Sequence, residues 1–433
     1  MIKNPEIKKY FNNSLWLIFD NIIKMGGGLF VGVWVARYLG AESYGILQYS
    51  ISFNFMFSFL VNIGLGNIFI RELVKNPDKE KEYLGSAFGL QIIGAFFAFT
   101  LINTFSLLYE TDTLIQLVIF IFSFQMFSNA FYSFTFYFQA KVISRYNVMA
   151  ESIAFIISSA AKIYFILNEM PIEYIAIAYL IDYLLKAILK IYFYQFINKT
   201  LFSIRFKLSI AKAFLKDSWV IGATLFLAMV QNRIDQLMIK NMIGTSELGI
   251  YALSADLPSY VLLLPTVLIN SLMPYFVDLK KNNPKFYNRR FIQILSASSW
   301  ASVFVCLIGI LIGEQAIKII YAGKFEGAYQ PFILNVWKIL FVVQMLFINI
   351  WLVIENKQQY QLYTNSIGTV FNIIFNFIMI THYGIIGAAI STIMTMIVVT
   401  WISPFGFNEI RAIGTITLKS LNPVLAIRGL LGR

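Results

Sequence analysis

The sequence predicts an all-α integral membrane protein with twelve transmembrane helices. Of its 433 residues, 58% are hydrophobic and only 13% are charged, and apolar runs of 18 or more residues recur along the chain. The mean hydropathy of +0.71 is well above that of a water-soluble domain. A soluble chain of this length would form about three domains, and the charged residues are too few to cover their surfaces.

The apolar runs define the spans, because each needs about 20 apolar residues and charged or Pro- and Asn-rich segments separate them. In the first half the runs predict helices over 15–36, 45–70, 85–108, 114–138, 148–167 and 172–196. In the second half they predict helices over 217–240, 249–277, 291–313, 331–354, 361–380 and 385–406. The first run is too long for the apolar region of a signal peptide and carries charges, so we expect it to span the membrane.

The basic residues predict that both termini lie in the cytoplasm. Of the 34 Lys and Arg residues, 24 fall in the segments that this orientation places inside, whereas the opposite loops carry only Arg37, Lys318 and Lys324. Basic loops remain on the cytoplasmic side during insertion. Topology and affinity for anionic lipid head groups explain most of the net charge of +12, so nucleic-acid binding is not needed to explain it.

An internal repeat divides the chain into two halves. The stretch GAESYGILQYS from Gly40 and the stretch GTSELGIYALS from Gly244 are 204 residues apart, and each joins the first and second helices of a half. The alternative is that such glycine spacing is ordinary turn punctuation. The repeat predicts six-helix bundles over 1–200 and 201–406, related by a pseudo-twofold axis along the membrane normal, and a cytoplasmic tail over 407–433.

Several stretches resemble a known family of polysaccharide exporters. The similarity lies in ARYLGAESYGILQYS (36–50), YAGKFEGAYQP (321–331), YGIIGAAIST (383–392) and the longer segments 216–258 and 349–377. Together they resemble the Wzx-type O-antigen flippases of the multidrug/oligosaccharidyl-lipid/polysaccharide exporter superfamily, over nearly the whole chain.

This resemblance implies two six-helix lobes around a central V-shaped cavity that opens alternately to each side. It implies a flippase of the bacterial cytoplasmic (inner) membrane that translocates an undecaprenyl-pyrophosphate-linked oligosaccharide for O-antigen, lipopolysaccharide or related surface polysaccharide. Membrane lipids, a polysaccharide polymerase and a chain-length regulator are the implied partners. We expect no cofactor; our mechanistic hypothesis is alternating access, with a proton or sodium as the candidate coupling ion.

Basic residues inside the predicted spans are the candidates for substrate binding. An ionisable group in the hydrocarbon costs about 2.5–3.5 kcal/mol on insertion scales, so each needs a structural or functional reason. A cavity lined by several cations attracts a multiply charged anion such as a pyrophosphate or an acidic glycan. The candidates for binding the pyrophosphate or glycan are Lys24, Lys162, Lys186, Arg233 and Lys338.

Acidic residues inside the spans are candidates for binding a coupling ion or for pairing with these cations. They are Asp20, Asp182, Asp235 and Asp256. Asp20 precedes Lys24 by four residues and Asp182 precedes Lys186 by four, so each could form an ion pair along its own helix.

Position on the helix separates the remaining candidates. Lys162 and Lys338 have no acidic residue three or four positions away, which indicates a water-filled lumen or a partner on another helix. Arg233 and Asp235 are about 200° apart around their helix and therefore point in different directions, and the pair resembles a recurrent feature of the family. Lys190 lies near the cytoplasmic end of its span, so we expect its ammonium to snorkel to the head groups.

An enzyme is the main alternative class. Polymerases and ligases of similar size would carry a large outer loop rich in Arg and His, but the longest outer loop, about 314–330, has two lysines and no histidine. The single Cys306 and single His382 exclude a Cys/His metal cluster, and we assign no catalytic residue. Within transporters, a lipid II flippase would typically have extra helices, and a cation-coupled drug exporter would have a carboxylate-dominated cavity.

Overall fold

The computed structural model describes residues 5–199 and 204–430, except for the side chains of residues 5–12, 14, 15, 17–25, 264 and 427–430. These described residues form helices and turns and no β-strand, which confirms the all-α class. Nine of their segments are long and apolar enough to cross a membrane. The protein is therefore a multi-pass membrane protein, and the number of twelve spans stays a prediction.

The helices of the first half follow the predicted spans, some of them in pieces. Ile63 and Gly64 adopt left-handed conformations (φ 35° and 69°) and interrupt the second span. The helices are α1 (Pro5–Phe57), α2 (Phe59–Asn62), α3 (Leu65–Lys75), α4 (Glu80–Tyr109), α5 (Thr113–Ser123), α6 (Gln125–Asn129), α7 (Tyr132–Ala140), α8 (Arg145–Leu167) and α9 (Ile172–Asn198).

In the second half, too, the helices follow the predicted spans, some of them in pieces. A π-helical turn over Val398–Ile402 interrupts the last span. The helices are α10 (Leu208–Met242), α11 (Thr245–Ser271), α12 (Met273–Asn282), α13 (Pro284–Ile320), α14 (Tyr329–Asn335), α15 (Lys338–Ile354), α16 (Gln359–Ile397), α17 (Arg411–Lys419) and α18 (Pro423–Leu430).

Glycines break the two longest helical segments. Gly40 within α1 has φ 70° and ψ −179°, and Gly384 within α16 has φ 59° and ψ −139°. Neither pair of angles is helical, and only glycine adopts such angles readily. Each break falls where the apolar pattern predicts a boundary between two spans.

Two compact units make up the chain. Unit 1 contains Met1–Leu39 and Ile46–Met229, and unit 2 contains Gly40–Gly45 and Val230–Arg433. Each unit has its own core. Aromatic side chains with no exposed surface lie at the centre of these cores: Phe69, Phe134 and Phe138 in unit 1, and Phe276, Phe291 and Phe347 in unit 2.

The two copies of the repeat meet within unit 2. A Cβ atom added to Gly45 would lie 1.8 Å from the carbonyl oxygen of Thr245, and one added to Gly249 would lie 1.9 Å from that of Ala41. Gly45 and Gly249 are equivalent in the repeat, as are Ala41 and Thr245. At these four positions the contacts are reciprocal, as a local twofold axis requires.

The predicted tail includes two short helices that pack on unit 2. Ile413 of α17 is fully buried in the unit 2 core. In the turn before α18, the carbonyl of Asn422 accepts a hydrogen bond from Ser296 Oγ (3.1 Å), and that of Leu421 accepts one from Trp300 Nε1 (3.2 Å). These bonds attach Leu421 and Asn422 to α13.

Candidate functional site

Helices α8 and α9 of unit 1 carry a charged cluster inside the membrane-spanning region, which we name the α8–α9 cluster. It consists of Glu151, Lys162, Asp182, Lys186 and Lys190. The three α9 residues are spaced by four, and the two α8 residues are three turns apart, so each set lies on one face of its helix. Three lysines and two carboxylates leave an excess of one positive charge.

Two of the lysines are held by carboxylates. Lys186 Nζ lies 2.5 Å from Asp182 Oδ2 and 3.5 Å from Glu151 Oε2. Lys190 Nζ lies 2.8 Å from Glu151 Oε1. The sequence reasoning missed Glu151, although it falls inside the predicted span 148–167, where any ionisable residue should have been flagged.

The prediction that Lys190 snorkels to the head groups is wrong. Its side chain is only 3% exposed and is bonded to Glu151, and its ammonium lies 4.9 Å from the centre of the Tyr132 ring. Although the residue is near the end of its span, a buried anion on the neighbouring helix holds the ammonium inside the protein.

Lys162 is held differently. Its ammonium lies 3.5 Å from the centre of the Tyr179 ring, and the residue is only 6% exposed. Within the described part of the chain it makes no ion pair within 4.0 Å. The partner on another helix that the sequence predicts is therefore an aromatic face on α9, which stabilises the cation without neutralising its charge.

A second charged cluster lies in unit 2, on α10, α11 and α15, and we name it the α10–α11 cluster. Arg233 Nη1 lies 4.0 Å from Asp256 Oδ1 and donates a hydrogen bond to Gln236 Oε1 at 3.1 Å. Lys338, the first residue of α15, lies close enough to interact electrostatically with Arg233, Asp235 and Asp256.

Asp235 belongs to the same cluster but has hydrogen-bond partners that are neutral. The Tyr251 hydroxyl donates a short hydrogen bond to Asp235 Oδ2, and the backbone N–H of Gln236 donates to Oδ1 at 2.8 Å. Tyr251 has no exposed surface, and its oxygen also lies 3.4 Å from Thr392 Oγ1. Gln236 links Arg233 to Asp235, since its side chain accepts from Arg233 and its backbone N–H donates to Asp235. Asp256, by contrast, contacts Arg233, and Tyr251 contacts Asp235.

The structure thus collects the predicted residues into two groups. Lys162, Asp182 and Lys186 lie in the α8–α9 cluster, and Arg233, Asp235, Asp256 and Lys338 lie in the α10–α11 cluster. The side chains of Asp20 and Lys24 lie outside the described residues. Among the residues that are described, no three His, Cys, Asp or Glu side chains are placed to hold a metal ion.

Solved transporter structures share this fold. The lipid II flippase MurJ in an inward closed conformation is 16% identical, with a TM-score of 0.74 over 98% of this chain and 93% of that chain. An inward-facing multidrug resistance MATE family transporter of the MOP superfamily is 13% identical, with a TM-score of 0.64 over 92% of this chain and 96% of that one.

A third structure comes from Pyrococcus furiosus and is described as a MOP superfamily transporter whose binding pocket has reverse polarity. It is 12% identical, with a TM-score of 0.59 over 98% of this chain and 95% of that chain. At these identities the likeness establishes the fold, and the fold is that of a MOP superfamily transporter.

Sequence comparison establishes the family. No curated protein matches the chain significantly in sequence. The family model described as polysaccharide biosynthesis protein matches residues 11–280, which is more than half of the chain. The resemblance to polysaccharide exporters of this superfamily is confirmed: the chain belongs to the polysaccharide biosynthesis protein family.

Proposed function

We propose that the protein is a flippase that translocates an undecaprenyl-pyrophosphate-linked oligosaccharide, the repeat unit of O-antigen or a related surface polysaccharide, across the bacterial cytoplasmic membrane. The chain belongs to the polysaccharide biosynthesis protein family and shares its fold with a lipid II flippase and with multidrug transporters, which supports a transport function over an enzymatic one. The observation that carries the proposal is Lys162, a buried ammonium that contacts the Tyr179 ring and has no carboxylate within 4.0 Å among the described residues. Asp182 is near enough to interact with it electrostatically, but not as a direct ion pair.

Energetics favour a functional role for Lys162. A lysine in the hydrocarbon costs about 2.5–3.5 kcal/mol, and a desolvated cation–π contact returns about 2 kcal/mol. The remaining cost is offset when an anion binds, and a pyrophosphate oxygen forms a strong charge-assisted hydrogen bond with an ammonium. The ammonium of Lys186 is already stabilised by the carboxylates of Asp182 and Glu151. We therefore assign Lys186 a supporting role.

The α10–α11 cluster is a second candidate site for an anion, within unit 2. The Arg233–Asp256 pair is long at 4.0 Å, and the two side chains are 26% and 30% exposed. A loose, partly exposed pair is easily exchanged for a bidentate guanidinium–phosphate contact. We propose that Arg233 and Lys338 bind the anionic head group, which passes across the membrane by alternating access.

Asp235 is the acidic residue that we propose for coupling to protons or sodium. Asp182 and Asp256 each contact a basic side chain, whereas the described hydrogen-bond donors to Asp235 are the Tyr251 hydroxyl and a backbone N–H. A buried carboxylate whose hydrogen-bond donors are neutral gains and loses a cation without breaking a direct ion pair, and the nearby Lys338 adds only a longer-range interaction.

Twelve spans in two six-helix halves remain part of the proposal. The apolar segment Gly26–Lys75 has 50 residues and Gln359–Gly406 has 48, about 75 and 72 Å of helix against a hydrocarbon thickness of about 30 Å. Each contains a non-helical glycine, so each is best explained as two spans. Helix α9 has 27 residues, long enough for a further span, although it carries Asp182, Lys186 and Lys190 close together.

Orientation completes the topology. The distribution of basic residues supports a cytoplasmic location for both termini. The internal repeat supports the division into halves over 1–200 and 201–406, followed by a tail over 407–433.

Complementation tests the function. In a bacterium whose own O-antigen flippase has been deleted, we expect the wild-type chain to restore surface glycan and Lys162→Ala to lower it at least tenfold. Lys281→Ala removes an exposed lysine elsewhere and serves as the control. Equal glycan from wild type and Lys162→Ala would remove the assigned role of Lys162. No glycan from the wild type with several oligosaccharides supplied would contradict the flippase assignment.

A second candidate substrate is lipid II, which the likeness to MurJ favours. It would present the same pyrophosphate to the same cations. The discriminating experiment is rescue of a strain depleted of its lipid II flippase. Growth of that strain, without surface glycan in the first strain, would assign lipid II. A cation-coupled drug exporter is disfavoured by the excess positive charge of the α8–α9 cluster.

A further inference from the structure

A continuous apolar groove runs along unit 2, between α11 and α13. Two adjoining cavities, with volumes of about 220 and 250 Å³, share the lining residues Val261, Val305 and Ile339. We name their union the α11–α13 groove. Helix α11 forms one wall, α13 forms the other, and α14 and α15 form the floor.

The groove is as long as the membrane is thick. On α13 its lining extends from Ser298 to Ile320, which corresponds to about 33 Å of helix. The hydrocarbon core of a bilayer is about 30 Å thick. Wall residues such as Leu268 (57% exposed) and Ile312 (56% exposed) show that the groove is open along its length.

The chemistry of the lining selects a hydrocarbon chain. Its only hydroxyls are those of Ser298 and Ser302, and Ser302 Oγ donates to the Ser298 carbonyl at 2.9 Å. A sugar or a peptide would find almost no hydrogen-bonding partner there.

The groove begins beside the α10–α11 cluster. Asp256 is directly followed by Leu257 and Pro258, which line the groove, and Lys338 is directly followed by Ile339, which lines both cavities. Consecutive Cα atoms are 3.8 Å apart, so the carboxylate Asp256 on α11 and the cation Lys338 on α15 lie at the same depth as this part of the groove lining. A lipid whose phosphate contacts this cluster has its chain next to the groove.

We propose that the α11–α13 groove binds the isoprenoid chain of the lipid-linked substrate while the pyrophosphate is held by the α10–α11 cluster. This inference rests on the proposed flippase function. It replaces the simpler view that the chain stays in bulk lipid with a specific binding path in unit 2, in which Val305 and Val261 face the chain from opposite walls.

A binding measurement on the full chain tests the proposal. The protein is placed in nanodiscs of phosphatidylethanolamine and phosphatidylglycerol, and the Kd for a radiolabelled 55-carbon polyprenyl diphosphate is measured. Val305→Trp fills the groove from α13 and Val261→Trp fills it from α11. We expect each variant to weaken binding at least tenfold. Because both exchanges are apolar, membrane insertion is preserved, and thermal unfolding verifies that each variant is folded.

Leu311→Trp is the matched control, because Leu311 lies on α13, is 81% exposed and does not line the groove. We expect it to bind as the wild type does. Unchanged binding in both groove variants, or equal weakening in all three variants, would show that the groove does not bind the isoprenoid chain. Neither result would contradict the proposed flippase function. Failure of the wild type to bind the polyprenyl diphosphate would instead reject the proposed function together with the groove.

Discussion

At the residue scale, the contact between Lys162 and Tyr179 makes a prediction for stability. Tyr179→Leu removes the aromatic face, so we expect it to lower the free energy of unfolding by about 2 kcal/mol. In a Lys162→Met background the same change should have little effect, because no ammonium remains to be stabilised. Thermal unfolding of the four purified proteins measures the difference. Equal destabilisation in both backgrounds would show that the ring acts by packing alone.

Glu151 makes a second prediction at this scale. Glu151→Gln leaves Lys190 buried without its anion, and breaking a buried ion pair in this way costs about 3–5 kcal/mol. We expect a lower melting temperature and less protein in the membrane. The double variant Glu151→Gln/Lys190→Met removes both charges and should recover much of the loss. A double variant as unstable as the single one would argue against the pair.

A contact between two side chains was predictable from the sequence only when both residues lie on the same helix at helical spacing. The spacing of four predicts the Asp182–Lys186 pair, which the structure shows at 2.5 Å. The partners Glu151, Tyr179 and Tyr251 lie on other helices than the residues they contact, and helical periodicity carries no information about which helices pack together. Their assignment therefore required the fold.

At the element scale, the glycine pair of the repeat predicts a strong effect from a single methyl group. In Gly45→Ala the new Cβ would lie 1.8 Å from the Thr245 carbonyl, so the backbone must shift. We expect a marked loss of folded protein, measured by size-exclusion chromatography in detergent. Gly28→Ala is the control, since a Cβ there has no atom within 4 Å and alanine favours the helix. Equal yields of the two variants would mean that the contact is dispensable.

Helix boundaries show what hydropathy detects and what it does not. The non-helical Gly40 and Gly384 fall between predicted spans, because polar and glycine residues mark these turns. The break at Ile63 and Gly64 was not predicted, because it lies inside an apolar run and changes neither hydropathy nor periodicity. A backbone break within the membrane is set by packing, here by Gly64 against Ile221, and a single sequence does not report it.

At the scale of the whole molecule, the distribution of basic residues predicts the orientation in the membrane. With Cys306 replaced by serine, single cysteines at exposed Lys281 and Lys324 report opposite sides. In intact cells, we expect a membrane-impermeant maleimide to label Lys324→Cys and to leave Lys281→Cys unlabelled until the cells are lysed. The reverse pattern would invert the topology.

Fold class was accessible from the sequence, because a chain this apolar has few ways to satisfy its backbone in lipid other than as helices. The sequence did not reveal that the predicted charged residues form an α8–α9 cluster and an α10–α11 cluster, because this grouping depends on which helices are neighbours. The apolar groove was hidden as well, because its residues look like any other lipid-facing surface until α11 and α13 are seen side by side.

The bond between Glu151 and Lys190 bears on how the chain is made. Alone, α9 would carry Lys190 into the translocon without an anion on its own helix, because Asp182 already pairs with Lys186. Glu151 on the preceding helix neutralises part of this charge. We therefore expect the two helices to leave the translocon together as a hairpin. Helix α8 would remain at the lateral gate until α9 has been synthesised and its lysines can pair with Glu151.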